Sequence, residues 1–184
     1  MIESVLRLLR ATASREPNFG CFGMHEWAMV YRSEEIGTRH RVPLRLGGGG
    51  TDEVVEAHRI QCSHFDAYRF FTPPAIGLNT LSPTAQDREA FEQPACLHGN
   101  MDLYKHAFRL HTLIPSDLLA DAFELAWDIR ILDMRAAPYD MSGRCWIRAV
   151  SRGPRFGWRP PRASGSTPTH SAPSPTVPPR SVRR

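Results

Sequence analysis

Pro115-Ser-Asp-Leu-Leu-Ala-Asp-Ala-Phe-Glu-Leu-Ala-Trp-Asp-Ile-Arg-Ile-Leu-Asp-Met-Arg-Ala-Ala-Pro138 is the strongest helical pattern in the chain. Ser116 is suited to an N-cap, and Asp117 complements the positive end of a helix dipole. Leu119, Ala122, Phe123, Ala126 and Arg130 mark one flank, and Pro138 stops the run. Asp117, Asp121, Glu124, Asp128 and Arg135 fall on another flank, which reads as a solvated face. A chain built around such a segment is expected to be mainly α.

Working outward, residues 97–110 predict a second helix, and Ser82-Pro83 opens a short one that Pro94 closes. Ile2, Val5, Leu6, Leu8, Leu9 and Ala13 predict an amphipathic helix over residues 2–13. It begins almost at the initiator without a cap, which suggests that an upstream segment is missing. Val42, Leu44 and Leu46 alternate around Pro43 as in a short edge strand, and Gly47 to Gly50 read as a surface turn. Residues 54–71 stay open. As a strand they place His58, Ile60, Cys62, His64 and Asp66 on one face; the alternative is a capped helix over 52–60 and a shorter strand. Thr72-Pro73-Pro74 ends the element either way, with a loop over 75–83. The expected fold is mainly α with a small β portion (α+β), a single domain over residues 1–140 followed by a disordered tail over 141–184.

That boundary is compositional. After Asp140 there is no acidic residue, while nine of the 23 basic residues and eight of the 16 prolines lie there. Residues 1–140 therefore hold 14 basic against 19 acidic groups, so the chain's formal charge of +4 belongs to its end. A basic chain that binds nucleic acid through its whole surface is excluded on this count. An acid-free Arg/Pro/Ser-rich end is also what GC-rich DNA yields out of frame, and loss of the native frame near Ser142 is one expectation. The other is a genuine basic tail touching phosphates. Four cysteines without a CxxC pair, no signal-like apolar run and no stretch near the ~20 apolar residues of a membrane helix suggest a cytoplasmic protein with reduced thiols.

Cys96-Leu-His-Gly-Asn-Met-Asp-Leu-Tyr-Lys105 concentrates the chemistry and holds the only lysine of the chain. Where arginine has taken every other cationic position, a retained amine draws attention to its titration. Cys62-Ser-His64 and Cys96-Leu-His98 offer a zinc reading, with His25 or His58 as spare ligands, though neither pair has the usual C-x2–4-C spacing. Buried thiols and hydrogen-bonded core histidines account for the same residues. His25-Glu26 lacks the second histidine of a zinc-protease helix, since position 29 is Met. Asp66, Asp102, Glu124, Asp128, Asp133 and Asp140 are the carboxylates available to a hydrolase, and Asp133-Met-Arg135 with Tyr139-Asp140 combine charge, proline and an aromatic at a helix end. Aromatic rings for base stacking are plentiful, most of them suited to a core.

Asn18-Phe-Gly-Cys-Phe-Gly-Met-His-Glu-Trp-Ala-Met-Val-Tyr-Arg, His58-Arg, His64-Phe-Asp-Ala-Tyr-Arg-Phe-Phe-Thr-Pro, Gln93-Pro-Ala-Cys-Leu-His-Gly-Asn-Met-Asp-Leu-Tyr-Lys, Pro115-Ser-Asp-Leu and Leu132-Asp-Met-Arg-Ala-Ala-Pro-Tyr-Asp form one set. Together they resemble an actinobacterial family commonly labelled 3-methyladenine DNA glycosylase, over about residues 2–140. The resemblance implies a base-excision N-glycosylase of DNA repair that removes alkylated bases, has DNA as its partner and needs no cofactor. The damaged base would enter an aromatic pocket and its N-glycosidic bond would be hydrolysed. Asp102, then Asp66, would steady the oxocarbenium ion or orient water, and Lys105 would contact phosphate or act as a Schiff-base nucleophile. His25, Trp27, His64, His98, Asn100, Tyr104 and Arg135 would contact the substrate. A hydrolase or zinc enzyme built on Cys62, His64, Cys96 and His98, or an inactive fragment, are the alternatives.

Overall fold

The computed structural model describes residues 1–143 apart from Phe22; the tail expectation thus falls almost wholly outside the described residues. The described residues belong to one compact unit and form nine helices: α1 (Ile2–Ala13), α2 (Met24–Ala28), α3 (Ser33–Ile36), α4 (Gly47–Ala57), α5 (Phe65–Tyr68), α6 (Pro73–Ile76), α7 (Arg88–Phe91), α8 (Leu97–Arg109) and α9 (Ser116–Ala136). None is long and apolar enough to cross a membrane.

Two long helices, α8 and α9, pack along each other, with Tyr104 edge-on to Phe123 at 5.3 Å between ring centres. Pro115, not Ser116, occupies the cap position of α9, and it makes no side-chain cap bond. The acidic flank of α9 is exposed, as its pattern implies, but so are Leu118, Phe123, Leu125 and Trp127. Only the last third of the helix is buried, at Ile131, Asp133 and Met134. Trp27 fixes that end: its indole Nε1 donates to the Ala136 carbonyl at 2.9 Å, joining α2 to the close of α9.

The main core gathers Ala28, Tyr31, Val55, Ile60, Cys62, Ala67, Phe71 and Ala75, from α2 and the segments that follow it. A smaller cluster of Val30, Met134, Ala137 and Tyr139 seats the end of α9. Most helices here have four or five residues, too short to hold their own hydrogen bonds against water, so tertiary packing keeps them in place.

The expected β portion is absent among the described residues, where only two isolated bridges occur, Leu44 with Tyr139 and Ile60 with Asn79. Around Leu44 the Asp140 amide donates to the Pro43 carbonyl and the Arg45 amide to the Pro138 carbonyl, at 2.7 and 2.8 Å. Prolines 43 and 138 have no N–H to continue that ladder in either direction. Around Ile60 a side chain takes the place of a partner strand. Asn79 Oδ1 accepts from the Cys62 amide at 2.7 Å, while its Nδ2 donates to the carbonyls of Cys62 and Leu81 at 2.9 and 2.7 Å. The glycine run is also corrected, because it forms the first turn of α4. Gly47 enters at φ +67°, a conformation few other residues adopt, and Thr51 closes the turn through a 2.6 Å bond to the Gly47 carbonyl. Ala75 and Ile76, the start of the loop expected over 75–83, belong to the helix Pro73–Ile76, and the short helix after Ser82-Pro83 starts only at Arg88.

Asn79 is 8 % exposed and carries three hydrogen bonds of an otherwise irregular segment. Asn79→Ala leaves the Cys62 amide without its partner, and is expected to lower stability by about 3 kcal/mol. Urea unfolding followed by tryptophan fluorescence measures it.

Candidate metal centre

Short α2 follows Gly23, whose φ of +78° turns the chain so that His25 and Glu26 point inward. Their side chains are buried, 3 % and 7 % exposed, and meet two others from distant parts of the sequence. His98 enters from the first turn of α8 and Asp133, with no exposed surface, from the end of α9. One ligand atom from each of His25, Glu26, His98 and Asp133 lies within 4.8 Å of the others. Among the described residues this is the group of donors that converges in this way.

The contacts inside it are incomplete. His25 Nε2 and Asp133 Oδ1 are 3.1 Å apart, yet neither atom has a hydrogen-bond partner, so they face each other without hydrogen-bond alignment. Arg130 stands on the outer side, 3.3 Å from Asp133 Oδ2 and 3.7 Å from Glu26 Oε1. Burial works against a charge on His25, and the Asp133 carboxylate beside it prevails, raising its pKa. Burial likewise opposes ionisation of Asp133, and His25 outweighs it, so the carboxyl stays below its usual range. His98 has the opposite balance: burial first, then the charge of His25, pushes it down to about 3, so it is a neutral imidazole with a lone pair to give. Glu26 is raised by burial and by Asp133.

The rings of His25, His98 and His64 form a row. His98 stands edge-on to His25 at 4.5 Å and tilted against His64 at 5.5 Å. Beyond His64 lies a second polar group built on charge pairing. Arg88 bonds Glu92 at 2.5 Å and Asp102 at 2.9 Å, Lys105 bonds Asp102 at 2.5 Å, and His64 Nε2 is 3.4 Å from Asp102 and 3.6 Å from Glu92. Burial raises the Asp102 pKa, but His64 and Lys105 together hold the carboxylate well below its usual range. On one side of the histidine row three thiols, Cys21, Cys62 and Cys96, line a small pocket. On the other a cavity of about 460 Å³ opens, walled by Glu26, His98, Asp66, Arg130, Phe70 and Tyr139 among others.

The residues singled out from the sequence part company here. His25 and His98 enter the converging group; His64 sits beside it; Asp66 lines the cavity, paired with Arg69 at 3.3 Å and Lys105 at 3.6 Å. Asp102 and Lys105 are tied into the charge network. Asn100 donates to the carbonyls of Pro94 and Cys96, bracing the start of α8, where Cys96 Sγ accepts from the Gly99 amide. Trp27 and Tyr104 pack helices together, and Arg135 is exposed on α9. Of the four residues of the sequence-based zinc reading, Cys62, His64 and Cys96 stand outside the converging group and only His98 belongs to it. Sequence reasoning passed over Glu26 because it sought a second histidine at position 29. Asp133, one of the carboxylates singled out from the sequence, does join the converging group; it continues the inner flank Leu119, Ala122, Ala126, Ile129, an acid where an apolar residue belongs.

No family model, no curated protein and no solved structure matches the chain.

The Asp102 network gives a pH prediction with a definite sign. A carboxylate whose folded pKa lies below its unfolded value of 3.8 gives its full stabilisation above that value and loses it as pH falls through the folded pKa. Asp102→Asn is therefore expected to cost about 2 kcal/mol at neutral pH, with the difference from wild type shrinking below 3.8. Parallel thermal melts of both proteins across acid pH measure it.

Proposed function

We propose that the protein is a metal-dependent hydrolase, with a divalent transition-metal ion held by His25, His98 and Asp133 and with Glu26 as a fourth ligand or as general base. The observation that carries this reading is the unsatisfied pair at its centre. A buried imidazole nitrogen and a buried carboxylate oxygen 3.1 Å apart, misaligned for a hydrogen bond, would both be satisfied by one cation bound between them once the imidazole has given up its proton. Two ligands of one ion with bonds of about 2.1 Å stand about 3.4 Å apart in tetrahedral geometry, close to this separation.

The donor set supports the same chemistry. Two imidazoles and two carboxylates suit borderline ions such as Zn²⁺, Mn²⁺ or Fe²⁺ better than Ca²⁺ or Mg²⁺. Arg130 offsets one of the two negative charges, so a divalent ion would leave the centre with a single net positive charge. Glu26 and His98 also wall the cavity, so a substrate there would meet the ion and a raised carboxylate together. The ion would supply a Lewis acid and a water acidified to near neutral pH, and Glu26 would take that water's proton.

A second reading, DNA base excision, is favoured by one observation: Asp66 stands in the wall of the same cavity as Phe70 and Tyr139. There Asp66, rather than Asp102 with its three cationic neighbours, would face the sugar of a flipped nucleotide. A base-release assay on methylated DNA separates the two readings, since excision would persist in chelator and fail in Asp66→Asn.

Metal analysis of protein purified without chelator is expected to give one ion per chain. A chelator should remove it and lower the melting temperature, and His98→Ala should abolish both the metal and the chelator effect. At an ion concentration 100-fold above Kd, the stabilisation is expected to be about 2.7 kcal/mol. A wild-type chain that melts identically with and without Zn²⁺, Mn²⁺ or Fe²⁺ would refute the reading.

A further inference from the structure

The cavity beside the proposed metal ligands has a charge that no carboxylate among the described residues answers. Phe70 in its wall carries a guanidinium on each of two contacts, Arg69 at 4.3 Å and Arg39 at 4.4 Å from its ring centre. Arg69 is neutralised by Asp66. Arg39 has no carboxylate partner among the described residues; its contact is the ring face, which leaves its N–H groups available. It lies on an exposed connection between α3 and α4, steadied by the 2.8 Å bond from Thr38 Oγ1 to the His40 carbonyl. His40, next in the chain, stands edge-on to Tyr139 at 5.7 Å and adds a second donor to the same wall. The rest of the wall divides into the charged and polar Glu26, Asp66, His98 and Arg130 on the metal side and the apolar Met29, Val42, Met134 and Met141.

A guanidinium fixed on an aromatic face with a free donor fork suits a phosphate better than a single-point cation does. The volume of about 460 Å³ is within the range of small-molecule sites and admits more than a phosphate alone. We propose that the cavity takes a phosphate monoester of a flat, largely apolar alcohol, its phosphoryl group bound by Arg39 and His40 beside the metal centre and its body against Phe70 and Met134. This rests on the hydrolase reading for its reaction, though not for its anion site. In that reaction water forms the new P–O bond, the ester P–O bond breaks, the alcohol leaves with a proton, and inorganic phosphate is the second product.

Calorimetric titration of inorganic phosphate into the full chain, with and without Zn²⁺, tests the anion site apart from the metal. Arg39→Ala is expected to weaken phosphate binding at least tenfold, with Arg39→Lys intermediate and the nearby exposed Arg41→Ala unchanged. The Zn²⁺ content of Arg39→Ala should equal that of the wild type. With the metal loaded, p-nitrophenyl phosphate should be hydrolysed by the wild type, with KM raised at least tenfold in Arg39→Ala. Phosphate binding that is absent, or equal in wild type and Arg39→Ala, overturns the proposal whether or not metal binds. Phosphate binding that depends on Arg39 in a chain that takes up no metal upholds the anion site and sinks the hydrolase reading instead.

Discussion

Asp133 is a carboxylate with no exposed surface, near the end of a helix whose first two turns lie open to water. Removing such a charge from solvent costs several kcal/mol unless other groups replace the lost water. His25 and Arg130 supply part of that replacement, one from each side. This constraint orders the surrounding structure. Helix α2 must bring His25 to Asp133, Trp27 must hold the end of α9 still while it does so, and His98 must close the remaining side. The small cluster around Met134 and Tyr139 has little apolar area of its own, and the same contacts keep it shut.

The two polar groups on either side of the histidine row solve the burial of charge in opposite ways. Around Asp102, Arg88, Lys105 and His64 converge on one carboxylate oxygen, and the result is a brace between α7, α8 and the start of α5. Around Asp133, one oxygen and the facing His25 nitrogen lack hydrogen bonds, and their neighbours Glu26 and His98 line a cavity. Dense charge pairing suits a brace, whereas a deficit suits a site that completes itself with something from outside.

The long helices were legible because their signals are local. The apolar spacing of α1, α8 and α9 survives folding, and the observed bounds differ from the expected ones by a residue or so. The strand expectations failed because alternation at Val42–Leu46 and His58–Asp66 says which residues share a face but not whether a neighbouring backbone exists to bond. Proline and Asn79 decided that question. In the site, His25 and His98 could be noticed as chemistry-bearing residues, but their meeting could not be read from spacing. Glu26 and Asp133 gain their meaning only from burial, and burial of a carboxylate depends on tertiary partners. Trp27, Asn100 and Tyr104 looked like binding groups for the same reason that they make good struts: each combines a flat surface with a polar tip.

The joint between Trp27 and Ala136 spans 109 positions of sequence. His25, His98 and Asp133 come together through that joint, so no local piece of the chain contains the site. Closing so long a loop is entropically costly until many contacts form at once, which makes the site one of the last things to appear during folding. A chain cut, stalled or misassembled anywhere between the second and the ninth helix would present no converging ligands at all. Competence of the centre is in this sense a report on the completeness of the whole fold.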